Sequence, residues 1–287
     1  MLEINVKNVS LVLEGGTFRT VFTMGILDAF LDAEIMFPHI SGVSAGITYA
    51  CSYVSQQKGR NIRITEKYRN DKRYVGIRNF KTDKSLFGIR FAYDDLPNVL
   101  EPTDWETFRG YKGKFLIGVT NALTGKTEYM NGLRMDKSCK MLQATCAIPF
   151  LFPAIHIRNV PYYDGGLCAP ITIHKAEEDG YQKHVIILTR TDDYRKKCGI
   201  KNKLAAKRMQ KEFPSLSEPL LVRHQLYNDT VEYCRQLGRE GKAIVFQPAF
   251  QIKNLEDDVT LLRKGYDMGY QMAMDRMDEL KSFCGLG

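Results

Sequence analysis

The stretch PHISGVSAGITYA, residues 38–50, decides how this chain is read. Inside it, Gly42-Val43-Ser44-Ala45-Gly46 forms a GxSxG pattern. An apolar run of strand length, IMFPHIS (35–41), leads into it, and ITYACSYVSQQ (47–57) follows with the pattern of a buried helix ending near Gly59. A serine on a sharp strand-to-helix turn is where a nucleophile elbow has to be. Small flanking residues let the chain fold back, and the helix N-terminus favours developing negative charge. The same five residues also suit a glycine-rich β-α turn whose serine is idle. The surrounding chain has to decide between the two.

Upstream, SLVLEGG (10–16) reads as a short strand ending in a tight glycine turn. The run TVFTMGILDAFLDAEI (20–35) then places Val21, Met24, Ile26, Leu27, Phe30 and Leu31 on one face of a helix. This β-α-β-α opening predicts an α/β fold of three layers, α/β/α, around a mostly parallel sheet. Further on, FLIGVTNALTGKTEYM (115–130) predicts two strands joined around Thr124-Gly125, and MDKSCKMLQATCAIP (135–149) a helix halted by Pro149. FLFPAIHIRNVPYYDGGL (150–167) is strand-rich, and HVIILTRTDD (184–193) reads as a buried strand. Two helices, the strand KAIVFQP (242–248) and one closing helix over 259–283 complete the chain. Residues 58–110, basic and aromatic with helical pieces near 61–69 and 93–100, read as a cap or insertion. Without a repeat or linker, the expected organisation is a single domain over 1–287, with 195–287 supplying C-terminal helices plus one strand.

Bulk properties narrow the function classes. A chain of 287 residues with 44% hydrophobic and 26% charged content is an ordinary globular composition, which excludes wholesale disorder. No apolar run approaches the roughly 18 residues that span a bilayer. The opening MLEINVKNVS carries an acid and no long apolar core, so a signal peptide is not expected. Seven scattered cysteines without a CxxC argue for reduced thiols in the cytoplasm, and against a zinc site or disulfide framework. No cofactor or metal is expected. Charge is concentrated: residues 58–90 hold eleven Lys/Arg against three acids, a net +8, and residues 195–211 hold eight Lys/Arg and no acid. The rest of the chain sums to −8. Such segments suit an anionic partner or a solvated face, and the favoured partner is a peripheral anionic membrane surface. Nothing in the chain resembles a nucleic-acid-reading module, so no nucleic acid is expected.

Two further elements carry chemistry. Glu14-Gly15-Gly16-Thr17-Phe18-Arg19 lies between a strand and a helix, where consecutive glycines let backbone amides converge as an oxyanion hole requires. It lacks both GxxxxGK[ST] and the GxGxxG glycines, so phosphate-loop and dinucleotide readings fail. Arg19 suits loop support, a lipid phosphate or surface charge. Tyr163-Asp164-Gly165-Gly166 puts an aspartate at a strand end, exposed to a crevice or simply closing a hairpin.

Taken in order, strand–EGGxxR–helix, strand–GVSAG–helix and, about 120 residues later, AIPFLFP…YYDGG resemble the patatin-like phospholipases, most of all bacterial members. The resemblance runs over most of the chain. It implies a serine lipid acyl hydrolase working through a Ser–Asp dyad, with Ser44 as nucleophile and Asp164 as base. The amides around Gly15, Gly16 and Thr17 would form the oxyanion hole, with Arg19 beside them. The family's loop often runs GGGxRG, and here Thr17 and Thr20 stand at its third and last glycines. A β-branched residue tolerates positive φ poorly, so this loop is expected to be otherwise shaped or less effective. Two alternatives stay open. One is an α/β-hydrolase triad using His174, His184 or His224, and the other a catalytically weak anionic-lipid-binding module.

Overall fold

The strand Val9–Leu13 is buried along its whole length, a state possible only when both faces of its sheet are covered. Its side chains divide accordingly. Val9, Leu11 and Leu13 join one core, and Val12 joins a second on the opposite face. The strand Lys183–Ile187 repeats the division, with Val185 and Ile187 on the first side and Ile186 on the second.

The computed structural model describes residues 2–286. In chain order the strands are β1 (Val9–Leu13), β2 (His39–Val43), β3 (Lys114–Asn121), β4 (Thr127–Asn131), β5 (Ile155–Ile157), β6 (Val160–Asp164), β7 (Lys183–Ile187) and β8 (Ala243–Phe246). The helices are α1 (Val21–Asp32), α2 (Ser44–Val54), α3 (Arg60–Tyr68), α4 (Asn79–Thr82), α5 (Trp105–Gly110), α6 (Lys140–Thr145), α7 (Ile173–Glu178), α8 (Ile200–Glu212), α9 (Ser217–Arg239), α10 (Val259–Asp275) and α11 (Met277–Cys284). The sheet runs β5-β6-β3-β2-β1-β7-β8, with β4 also pairing β3. Strands β3, β2, β1, β7 and β8 are parallel neighbours, and β4, β5 and β6 are antiparallel additions at one side. Helices α1, α2 and α10 cover one face, while α7 and α9 cover the other. The architecture is the expected three-layer α/β/α sandwich.

Close approach of α1 and α10 fixes the first layer. A Cβ added at Gly25 would fall 2.0 Å from the Tyr266 carbonyl, and one at Gly269 would fall 2.1 Å from the Phe22 carbonyl. The two helices therefore touch backbone to backbone, with no room for side chains at the crossing.

Two segments differ from expectation, and a third is helical as expected but wider in its turn. The helix expected over 135–149 is only α6, because Cys139 adopts φ 53 and Asp136 closes a turn on the Ser138 amide (3.0 Å). The closing helix breaks at Arg276, whose guanidinium donates to the Val245 carbonyl (2.9 Å) and lies 4.9 Å over the Phe246 ring. In the 58–110 segment, Phe91–Leu100 is a π-helix that contains Pro97, whose missing amide is tolerated in the wider turn. Among the described residues no helix is long and apolar enough to cross a membrane.

Candidate active site

Parallel strands β1, β2 and β7 end side by side, with Leu13 in register with both Gly42 and Ile187. Their carboxyl ends open into a crevice, the usual ligand position in such sheets. Ser44 follows β2 directly, opens α2 and adopts φ 53. Left-handed backbone costs a non-glycine residue about 1–2 kcal/mol. That strain is held by the Ser44 amide donating to Thr145 Oγ1 (2.7 Å), which in turn donates to the Gly118 carbonyl (2.6 Å). Two glycines permit the tight apposition of the β1 and β2 turns. A Cβ at Gly15 would sit 2.7 Å from Ser44 Cβ, and one at Gly46 would sit 2.4 Å from the Glu14 carbonyl.

Register on β3 brings the aspartate in. Gly118 pairs with Val43, and the next residue, Val119, pairs with Asp164. The residue after Val43 is thereby set beside the end of β6. Asp164 is 4% exposed, and its carboxylate accepts the Gly166 amide at 2.7 Å. Burial pushes its pKa up. The Arg223 charge, the Ser44 hydroxyl, the Gly166 amide and Lys196 pull the other way, and the net direction is upward. A raised carboxyl is a stronger proton acceptor than a free one.

The glycine loop is braced from below. Buried Glu14 accepts the Thr189 amide (2.6 Å) and the Tyr227 hydroxyl (3.2 Å), and pairs with Arg19 (3.3 Å). Arg19 also donates to Thr189 Oγ1 (2.8 Å), the Gly15 carbonyl (3.1 Å) and Asn254. Its guanidinium is thus committed to holding the loop. Thr17 takes φ 54 despite its β-branch, and its carbonyl accepts the Thr20 hydroxyl. The amides of Gly15, Gly16 and Thr17 have no acceptor within the described residues, whereas the next amide, Phe18, donates to the Asn254 carbonyl (3.1 Å). Threonine at the third loop position therefore does not displace the chain from a left-handed turn.

Ser44 and Thr17 line two cavities at once. One, of about 550 Å³ counting space open to solvent, is walled by Phe18, Tyr49, Tyr74, Phe87, Tyr93 and Phe152. Phe87 is the hub of that wall, with ring centroids 5.5 Å from Phe152 and 6.2 Å from Phe18. The other, about 400 Å³, contains Asp164, Arg19, Lys196, Arg223 and Tyr227. Of the apolar residues flanking YYDGG in sequence, Ile148 and Phe152 reach the first cavity. Phe150 instead sits on a left-handed turn, partly exposed.

None of the five histidines lines either cavity. His184 is a buried residue of β7 and shares a hydrogen bond with Ser10 (2.8 Å), its pKa pushed down to about 4 by burial. His174 is exposed and pairs with Glu177 (2.9 Å), and His224 Nδ1 lies 2.9 Å from the Leu221 carbonyl on α9. A histidine triad has no member here.

Sequence reading missed Tyr74, Phe87 and Tyr93, and also Lys196 and Arg223. The first three lie in the aromatic 58–110 segment and Lys196 in the second basic segment, so composition flagged their neighbourhoods. Arg223 stands in an ordinary amphipathic helix and gave no signal.

The family model for patatin-like phospholipase matches residues 11–176. A second, for a domain of unknown function (DUF6363), matches residues 213–285. The Escherichia coli (strain K12) protein YjjU, described as uncharacterized, is 24% identical over 195 residues, 63% of this chain and 52% of its own length. The chain thus spans about half the length of that relative. A crystal structure of VipD from Legionella pneumophila superposes with a TM-score of 0.48 at 14% identity, covering 96% of this chain and 67% of VipD.

Proposed function

Because the chain belongs to the patatin-like phospholipase family, we propose that it hydrolyses carboxylic esters of lipids through a Ser44–Asp164 dyad and a covalent acyl-enzyme. The observation that carries this reading is the shared cleft. A strained serine, a buried carboxylate with raised proton affinity and three unpartnered amides all border it, and an aromatic cavity opens from the same serine.

In the proposed cycle Asp164 accepts the Ser44 hydroxyl proton as Oγ bonds to the ester carbonyl carbon. Loop amides of Gly15, Gly16 and Thr17 donate hydrogen bonds to the tetrahedral oxyanion. Collapse breaks the ester C–O bond, and Asp164 passes its proton to the departing alkoxide. Water then gives a proton to Asp164, attacks the acyl-serine and releases the fatty acid, restoring the Ser44 hydroxyl. Arg19 acts as a brace for the loop rather than as a ligand.

Phospholipid or lysophospholipid is the proposed substrate class. A peripheral stay at an anionic membrane goes with it. Helix α8 exposes Ile200 (77%) and Leu204 (63%) among exposed Lys203, Lys207 and Lys211, an interfacial pattern. The decisive experiment is fluorophosphonate labelling together with a panel of ester and phospholipid substrates. Labelling and turnover of the wild type, both lost in Ser44→Ala, support the reading. No labelling of folded wild type would instead favour a lipid-binding module without turnover.

A further inference from the structure

The polar cavity holds two cations that form no ion pair among the described residues. Arg223, on α9, donates its Nε to the Gly166 carbonyl (2.6 Å). Lys196 is anchored through its backbone, its amide donating to Asn228 Oδ1 (2.8 Å) and its carbonyl accepting Asn228 Nδ2 (3.0 Å). Its ammonium sits 4.8 Å over the Tyr227 ring and donates no hydrogen bond within the described residues. Neither cation has a carboxylate within 4.0 Å among those residues. Two buried acids share that cavity: Asp164 offsets the Arg223 charge from beyond ion-pair distance, and Glu14 is already occupied by Arg19, Tyr227 and the Thr189 amide. A fold that half-buries two unpaired cations beside its candidate nucleophile has left room for an anion.

The chemistry fixes which end of the substrate the anion belongs to. Whichever group takes the serine proton must deliver it to the leaving oxygen, so the alcohol half of the ester lies on the Asp164 side. Lys196 and Arg223 line that same cavity, and the uncharged aromatic cavity lies on the other side of Ser44. We propose that Lys196 and Arg223 form an anion subsite that selects esters whose leaving alcohol carries a phosphate group. The inference rests on the Ser44–Asp164 reading for its polarity, but the binding it describes does not require turnover.

A proton signature accompanies the geometry. Burial, then Arg223, Arg19 and Arg190, push the Lys196 pKa down to about 7, against a counter-pull from Glu14. A phosphate seated on Lys196 would restore its affinity for the proton, so binding near pH 7 takes up a proton from the buffer. As pH rises through that value the free enzyme loses the lysine charge. The kcat/KM for phosphate-bearing esters then falls, whereas that for neutral esters does not fall with it.

Calorimetry on the Ser44→Ala protein, with glycerol 3-phosphate and glycerol as probes, tests the subsite directly. Glycerol 3-phosphate is expected to bind with proton uptake, to weaken about tenfold or more in Lys196→Met, and to be unaffected by Lys207→Met on α8. Glycerol is expected not to bind. Turnover of 1-acylglycerol 3-phosphate against the 1-acylglycerol of the same chain gives the second arm, and Lys196→Met should lower that ratio about tenfold. Arg223→Gln, which keeps a donor toward Gly166, should do the same. Binding of the phosphate without any turnover would overturn the hydrolase reading and leave the subsite standing. Turnover with a ratio and a phosphate affinity indifferent to Lys196 would overturn the subsite and leave the hydrolase.

Discussion

The two sides of Ser44 are built from different chemistry and from different parts of the chain. Toward Phe87 the wall is aromatic and uncharged, with Tyr74, Phe87 and Tyr93 supplied by the 58–110 segment. Toward Asp164 it is ionic, and residues 189–254 supply Lys196, Arg223 and the bracing of Glu14 and Arg19. The serine and its strained turn are local products of β2 and α2. What the serine is offered is decided by segments far away in sequence. The same serine turn thus faces two walls that can vary independently of it.

The largest expected blow falls on the ionic side. Asp164→Asn keeps the shape and removes the proposed base, and turnover should drop about 10²- to 10⁴-fold in steady-state assays. The same variant should unfold at a higher temperature at pH 7. A carboxyl whose folded pKa is raised stabilises the fold below the unfolded value, and that contribution is lost as pH rises through the folded value. At neutral pH the ionised group is therefore a burden that Asn lifts. Calorimetric melts of wild type and variant check the direction, and a lower melting temperature would count against the raised pKa.

On the aromatic side, Ala92→Trp should fill the cavity next to Tyr93. Turnover of long-chain esters should fall about tenfold relative to butyryl esters, as a ratio of kcat/KM. An unchanged ratio would move the acyl chain elsewhere. Acid pH sharpens the contrast further. In the proposed cycle Asp164 acts ionised, so kcat/KM for neutral esters should rise with pH through a midpoint above the roughly 3.9 of a free aspartate. The smallest effect belongs to Thr17→Gly. The change relieves a β-branched residue at φ 54 but adds chain entropy to the unfolded state. Because only the amide faces the oxyanion, activity should stay within about threefold.

Much of this architecture was legible because it is local. Period-three-and-four apolar spacing gave α1, and strand-length runs ending in glycine gave β1 and β2. Glycines at 15 and 46 marked where two backbones meet. Charge was read less well, since a count of Lys/Arg says nothing of where they point. In the first basic segment Arg60 donates to the Glu101 carbonyl (2.9 Å). Arg69 turns inward to the Leu255 carbonyl (2.8 Å), and Lys58 pairs with Asp32 (2.6 Å). Several of its charges thus serve the fold rather than a partner. Arg223 was invisible for the complementary reason, being a lone cation 59 residues after Asp164 that only tertiary packing brings to it. Helix breaks at Cys139 and Arg276 likewise follow from contacts that no periodicity encodes.

The bare crossing of α1 and α10 bears on inheritance. Residues 11–176 and 213–285 match separate families and look exchangeable, yet Gly25 and Gly269 sit one in each and mesh as a pair. Asn254, from the second match, also ties down Phe18 and Arg19 in the first. Recombination that swapped the C-terminal part for an unrelated one would meet a mismatched helix and an untethered loop in the same event. In this chain the two matched regions are thus held to each other by a backbone crossing and by the Asn254 tether.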